Sequence, residues 1–482
     1  MVRNRHRSIA ALIAVLTLFA TACGSQLSDQ ERADLITAMK SAGGTGTGPG
    51  TVDGTDTTGA TGAGTETTTE TADGAADDDG SNAGTQDNGS TDAGELIGGI
   101  RLAACPDATK ATATGATANK LTVATLADIS GVQPGLFQSA HQAARAATAY
   151  INSRGGICGR QLEVLPLDSK TDSGGNRAAM LDACAKAFAV VGSISAFDDG
   201  SAAPGRECGI PDISAITTNA TKFNSPNVFP IFPNGGALAT TSAQEIAKRY
   251  PDVIKKAAIF WLNQAVTKNN AVLRQKAWQS VGYNFIYQQE VQVLEANFTR
   301  FVIEMQSRGV QYVTMVSDFQ SVVRLQKSMR QQNFVPKVRD WDSVAYDPDY
   351  LNEPAVVEGS LVFLSTALVE ESASNPEMRL YADWLQRGSP GAVPDYFGIH
   401  TWSAFRLFQV LASGIGPDLT RPKMLSALKA TREWNGNGLH GAHQTGAKVP
   451  SLCSLHVQVK GGKFVRLAPS SGFNCSGKLF RP

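Results

Sequence analysis

LTVATLADISGVQPGLFQSAHQAARAATAYINSRGGICGRQLEVLPL, residues 121–167, decides how this chain folds. It opens with a run of apolar and β-branched residues, 121–127, that reads as a strand. HQAARAATAYIN (141–152) reads as a helix, and QLEVLPL (161–167) is strand-like again. Strand, helix and strand in this spacing make a βαβ unit, whose two strands lie parallel in one sheet. The alternation continues with a helix at 176–187 and strands at 188–194 and 212–217. It restarts after Ala239 with a helix, then strands at 257–262 (AAIFWL), 285–293 and 310–316 (VQYVTMV), each followed by a helix. Two such blocks predict two Rossmann-like lobes of an α/β protein. A helical block spans about 376–431, and the tail VPSLCSLHVQVKGGKFVRL turns as a β-hairpin at Gly461-Gly462.

The chain of 482 residues is long enough for two or three domains, and its 43 basic residues balance 43 acidic ones. No global charge draws it to nucleic acid, and basic patches with interleaved aromatics are missing, so nucleic acid is not an expected partner. Arg3, Arg5 and Arg7 precede an apolar run over 9–20 that ends in Ala20-Thr21-Ala22-Cys23-Gly24. A run this short reads as a signal-peptide core (1–23), and a small-residue site ending at cysteine resembles a bacterial lipobox with Cys23 as the lipidated residue. Acyl chains there predict a membrane anchor, because each buried methylene contributes about 0.8 kcal/mol. Residues 24–40 read as a short helix capped by Ser28 and Glu31. From 41 to 104 the sequence is dominated by Gly, Thr, Ala and Asp, a composition that predicts a disordered tether.

Subtracting Cys23 leaves six cysteines, which in an oxidising compartment suggest three disulfides out of 15 possible connectivities. Cys453 and Cys475 flank the final hairpin, Cys184 and Cys208 sit near neighbouring helices of one block, and Cys105 with Cys158 remain. No CxxC spacing favours a metal, and HExxH, GxSxG and P-loop patterns are absent. His440 and His443 read as solvated turn residues; Asp198-Asp199 and Asp347-Pro348-Asp349 read as the starts of helices. Neither a cofactor nor a metal is expected.

Several local signatures in order resemble the type I periplasmic binding proteins, the branched-chain amino acid and amide group that feeds ABC importers. They are LADISG (126–131), AYINSRGGICGRQLEVLPLDS (149–169), VVGSISA (190–196) and CGIPDISAITTNATKF (208–223). Late in the chain follow YFGIHTWSAFRLFQVLASGI (396–415) and WNGNGLHGAH before the closing hairpin. The resemblance covers nearly all of 121–482. It implies lobe one from 119–233 plus 366–433, lobe two from 234–365 plus 434–482, and a three-strand hinge near 229–234, 362–366 and 434–438. It also implies a ligand held in the cleft at the carboxyl ends of both lobes' strands.

An amino-acid-like ligand needs hydroxyl and N–H donors for its carboxylate and acidic or carbonyl acceptors for its ammonium. Lobe one offers Asp128, Ser130, Ser193 and Ser195, then Ala196, Thr217, Thr218 and Asn219. Lobe two offers Gln264, Ser317, Asp318, Asp342 and Ser343. Each of these residue types also serves ordinary caps and turns. Ala196 stands where the family commonly has a serine, Val266-Thr267 where it has a tyrosine, and Ala220 where it has a proline. The ligand is therefore open among amino acids, amides, aromatic and sugar-like solutes. The expected function is an exported, lipid-anchored solute-binding protein on the outer face of the cytoplasmic membrane. It acts as a monomer without catalysis, passing a small polar ligand to an ABC permease. A surface ligand sensor for a membrane receptor is the second reading, and an extracytoplasmic hydrolase the third.

Overall fold

The computed structural model describes residues 94–106, 108–233 and 236–482. Cys23, the leader, the 24–40 helix and the tether up to residue 93 lie outside the described residues. A short antiparallel hairpin comes first, β1 (Leu96–Ile97) with β2 (Ile100–Arg101). The first sheet contains β3 (Lys120–Ala127), β4 (Gln161–Asp168), β5 (Ala189–Val191) and β6 (Asp212–Ile213), all parallel in the order β4-β3-β5-β6. β7 (Leu238–Ala239) leads into the second sheet, which holds β8 (Ala257–Leu262), β9 (Phe285–Val291), β10 (Tyr312–Val316) and β11 (Val338–Trp341). β12 (Leu361–Leu364), β13 (Leu455–Lys460) and β14 (Lys463–Ala468) complete it in the order β14-β13-β12-β11-β10-β8-β9. Only β13 runs against the others there, pairing antiparallel with both β12 and β14. The last strand, β15 (Leu479–Phe480), pairs with β7.

Central strands of such sheets are covered by helices on both faces, so they read as continuous apolar runs. β3 buries every residue from Val123 to Ala127, and β10 is buried along its length. Helix Gln138–Ser153 packs through small residues, Ala140, Ala143, Ala144, Ala146 and Ala147, all fully buried. A Cβ on Gly388 would stand 2.9 Å from the Ala146 backbone, so helix Pro376–Gly388 lies in close approach to it. The helix stops where Gly155 and Gly156 take φ of 91° and 73°, and a Cβ on Gly156 would lie 2.1 Å from the Arg160 carbonyl. Helix Tyr396–Ile415 is buried nearly all round, with Trp402 ringed by Tyr150 at 5.7 Å and Tyr381 at 5.4 Å. The six paired cysteines join as Cys105–Cys158, Cys184–Cys208 and Cys453–Cys475.

Three expectations need correction. The tether was expected to run to 104, yet residues 94–102 form an ordered hairpin with Ile97 fully buried in the first core. Its Glu95 pairs at 3.1 Å with Arg406, a buried guanidinium that also meets Glu377 at 2.9 Å. The polar average of the region hid the apolar Leu96, Ile97, Ile100 and Leu102, which carry enough burial to anchor it. The boundary expected at residue 434 does not follow the contacts. Trp434 sits in the first core and donates to Ser403, while Lys448 donates to the carbonyls of Phe223 and Ser225. Finally, His440 and His443 are not solvated. Inside the fold His440 stacks on His400 at a centroid distance of 5.9 Å, and His443 lies tilted against His440 at 5.4 Å. The turn carrying them is pressed onto the long buried helix, where Ser403 Oγ hydrogen-bonds His440 Nε2 at 2.8 Å.

Burial holds these imidazoles neutral, lowering His400 to about 3, His440 to about 4 and His443 well below its usual value. A depressed histidine keeps its stabilising contribution above the unfolded value near 6.5 and loses it as pH falls below that. Asp198 and Asp395, both raised to about 6 by burial, act in the opposite sense, so a variant must isolate the histidines. Between pH 6.5 and 5, urea unfolding is expected to show a shallower acid loss in His400→Gln than in the parent. The difference is up to about 1.4 kcal/mol per pH unit, although the variant starts less stable.

Candidate functional site

A cavity of about 600 Å³ opens at the carboxyl ends of the parallel strands of both sheets. On one side stand the loop after β3, with Gln133, Leu136 and Phe137, and the loops after β5 and β6, with Ala196, Ile216 and Thr218. Opposite them stand Gln264 and Val266 after β8, Leu294 after β9, Asp318 and Arg324 after β10, and Asp347 after β11. The start of helix Tyr396–Ile415 closes the floor with Asp395 and Phe397. Ligand sites in open α/β sheets form at this edge because the loops there converge while the strands stay rigid. Gln133 Nε2 donates to Asp318 Oδ2 at 3.3 Å, a direct polar link between the two sides. Val132 and Leu294 are large apolar side chains left largely exposed at the rim.

Of the residues expected to touch ligand, five line this cavity: Ala196, Thr218, Gln264, Ser317 and Asp318. The others are turned to internal work. Asp128 lies wholly buried behind the wall and accepts four hydrogen bonds. These come from Ser169 Oγ (2.5 Å), Thr171 N (3.1 Å), Ser195 Oγ (2.9 Å) and Ala196 N (2.7 Å). Ser193 Oγ accepts from Leu126 N, and exposed Ser130 donates to Asp168. Asn219 donates to Asp198, and Thr217 is fully buried beneath Thr218. Asp342 is held by Arg274 at 2.6 Å, while Ser343 hydrogen-bonds the Tyr396 phenol. Strand ends collect both wall residues and the residues that brace them, and residue type alone does not separate the two.

Sequence reasoning passed over Asp347, Asp395, Phe137, Phe397 and Arg324 as wall residues. Asp347 does begin a helical turn, accepting from Asp349 N at 2.8 Å, and Asp395 caps the long helix through Gly398 N at 2.7 Å. Both also face the cavity. The signal was present as an aspartate directly before a helix that starts at the end of a loop following a strand. Burial pushes Asp395 up to about 6, the nearby Asp347 carboxylate adds to that rise, and burial also raises Asp347. Phe137 and Phe397 meet edge to face at 4.9 Å on the same wall. The wall contains no histidine, cysteine or lysine. Among the described residues no group of three or more His, Cys, Asp or Glu is placed to hold a metal ion, and no helix is long and apolar enough to cross a membrane.

The Asp128 staple predicts a large stability effect without direct ligand contact. Asp128→Ala strands buried donors from Ser169, Thr171, Ser195 and Ala196, and is expected to cost about 3–5 kcal/mol. Asp128→Asn keeps part of the acceptor set and is expected to cost less. Denaturant midpoints at constant m-value report both.

None of the curated proteins matches the chain in sequence. Solved structures share its fold at low identity. A fatty acid ABC transporter substrate-binding protein from Thermomonospora curvata superposes with a TM-score of 0.65 at 16% identity, over 77% of this chain and 97% of that one. The branched-chain amino acid transporter substrate-binding protein LivJ from Streptococcus pneumoniae, in complex with isoleucine, gives 0.62 at 12% identity over 76% and 100%. A solute-binding protein from R. palustris in complex with 4-hydroxybenzoate gives 0.61 at 16% over 72% and 96%. A family model described as periplasmic binding protein matches residues 120–463, a span that runs from β3 to the start of β14 and takes in the cavity. The chain belongs to the type I periplasmic binding protein family, whose members bind small solutes outside the cytoplasm and work with ABC transporters.

Proposed function

We propose that this chain is the capture component of an ABC importer, holding one small solute in the cavity between its two sheets and handing it unchanged to a permease. The observation that supports this most is the cavity itself, which joins the carboxyl ends of both parallel sheets and is braced from behind by satisfied polar networks. Its volume suits a small molecule, for which clefts of roughly 300–1,000 Å³ are usual. Thr218, Gln264, Ser317 and Asp318 supply polar recognition, as the family resemblance implies for an amino-acid or amide-like head. Phe137, Ile216, Val266 and Phe397 supply a wall for an apolar body. The ligands in the names of the structural neighbours, a fatty acid, isoleucine and 4-hydroxybenzoate, each carry such a body. Binding that bridges the two sides stabilises the closed form, which is the state a permease reads. We further propose that Cys23 is acylated and that the chain works as a monomer on the outer face of the cytoplasmic membrane.

A melting-temperature screen of the full-length chain with amino acids, amides, amines, fatty acids and aromatic acids tests the capture role. A ligand present at a hundredfold excess over Kd adds about 2.7 kcal/mol of stability. One stoichiometric hit, recovered chemically intact, is the expected result. Ala196→Trp, which fills the cavity from the first sheet's side, is expected to remove that shift. Conversion of the ligand would contradict capture without chemistry, and a flat panel on folded protein would contradict capture altogether. For the anchor, Cys23→Ala is expected to move the chain from the membrane fraction to the soluble one.

A further inference from the structure

Apart from the amides of Gln133, Gln264 and Gln320, the donor and acceptor inventory of the cavity wall leans toward acceptors. Four hydroxyls line it, and each spends its proton elsewhere. Thr218 Oγ1 donates to the Ser195 carbonyl at 2.7 Å, and Thr267 Oγ1 to the Leu262 carbonyl at 2.6 Å. Ser317 Oγ donates to the Asp318 carbonyl at 2.9 Å, and Ser139 hydrogen-bonds the Asp395 carboxylate. What these hydroxyls turn to the cavity is acceptor lone pairs. The charged residues lean the same way, with Asp318, Asp347, Asp349 and Asp395 against Arg324 alone. Arg324 is already engaged with the Glu295 carbonyl at 2.9 Å and Ser321 Oγ at 2.7 Å.

Asp395 and Asp347 are the decisive pair. Each is drawn out of water, each caps a helical turn, and neither makes an ion pair among the described residues. The Asp347 charge acts to raise Asp395, and the Asp349 charge acts to raise Asp347. Two carboxylates on one wall, without a cation paired to either, leave a strongly negative pocket floor. Directly on that floor stands Phe397, packed edge to face against Phe137. Aromatic faces attract cations and accept apolar bodies equally well.

We propose that the cavity is built for an amphipathic organic cation, an amine or ammonium head seated against Asp347 and Asp395 with its apolar body along Phe137, Phe397, Ile216 and Val266. This rests on the capture reading and names its ligand class. The head donates to the wall's carboxylate and hydroxyl acceptors and neutralises the unpaired carboxylates. A carboxylate head meets a field of its own sign. The competing position for a carboxylate is the start of helix Ala265–Gln279, which has no side-chain cap at Gln264, and a zwitterionic probe tests it.

The full-length chain is titrated calorimetrically with three probes that share one phenyl body: 2-phenylethylammonium, 3-phenylpropanoate and phenylalanine. The ammonium is expected to bind at least about tenfold tighter than either of the others, the usual scale of one charge-assisted hydrogen bond. Asp395→Asn and Asp347→Asn keep a capping oxygen while removing charge, and each is expected to weaken the ammonium about tenfold. Arg324→Gln removes the like charge and is expected to tighten it a few fold. Tighter binding of phenylpropanoate or phenylalanine overturns the cationic class and leaves solute capture standing. Absence of binding for all three overturns the class as well. If the wider solute panel is also flat, the capture reading falls with it.

Discussion

The carboxylate of Asp128 is the constraint on which the cavity-facing edge of the first sheet depends. It is entirely removed from water at the end of β3 and satisfies donors from the loop after β4 and the loop after β5. A buried charge is tolerable only when hydrogen bonds replace its hydration, and here the replacements come from two separate chain segments. Those segments are therefore locked in register with β3, and the wall at Ala196 and Thr218 inherits their position. Gly131 completes the arrangement from the same loop. Its φ of 101° and its close approach to the Lys170 carbonyl, where a Cβ would lie 2.0 Å away, leave no room for another residue.

The second sheet solves the same problem with a different device. Its loops are fixed by aspartates that cap the elements they introduce: Asp318 through Ser321 N, Asp342 through Val344 N and Asp347 through Asp349 N. Asp342 is compensated by Arg274. Among the described residues Asp318, Asp347 and Asp395 have no such ion pair, and all three face the cavity. Capping thus serves structure everywhere, and the caps without a counter-charge carry free negative charge to the cavity wall. The same residue type performs both duties, and the difference lies in what surrounds it.

Deeper in the first body, Arg406 and Glu377 form a buried ion pair that gathers distant segments. Trp402 Nε1 and Asn437 Nδ2 donate to the Glu377 carboxylate, and Glu95 reaches the same arginine from the hairpin. Arg406 also lies over the Tyr150 ring at 4.8 Å. A pair of this kind is stable only with its remaining hydrogen-bonding capacity satisfied, which explains why the hairpin and the Trp434 turn both fold against this helix.

The sequence by itself determined the layered architecture. Apolar runs such as 121–127 and 257–262 match β3 and β8, and the Gly155-Gly156 stop ends its helix because only glycine tolerates that backbone and that approach. These features are local, so they survive without knowledge of the rest of the chain. Contacts between remote segments were not legible. The hydrophilic average around residue 100 concealed a buried Ile97, and HGAH looked like a solvated turn until the long helix covered it. The site was legible in part. The strand-end Ser, Thr, Asn and Asp lie at the edge where the cavity opens, and their side chains divide between the cavity and the network behind it. Which way each points depends on partners that are far away in sequence, such as Asp128 with Ser195 or Gln133 with Asp318. Only the tertiary structure decides that, because hydrogen-bond partners and counter-charges are chosen by proximity in space, and proximity follows from packing rather than from residue type.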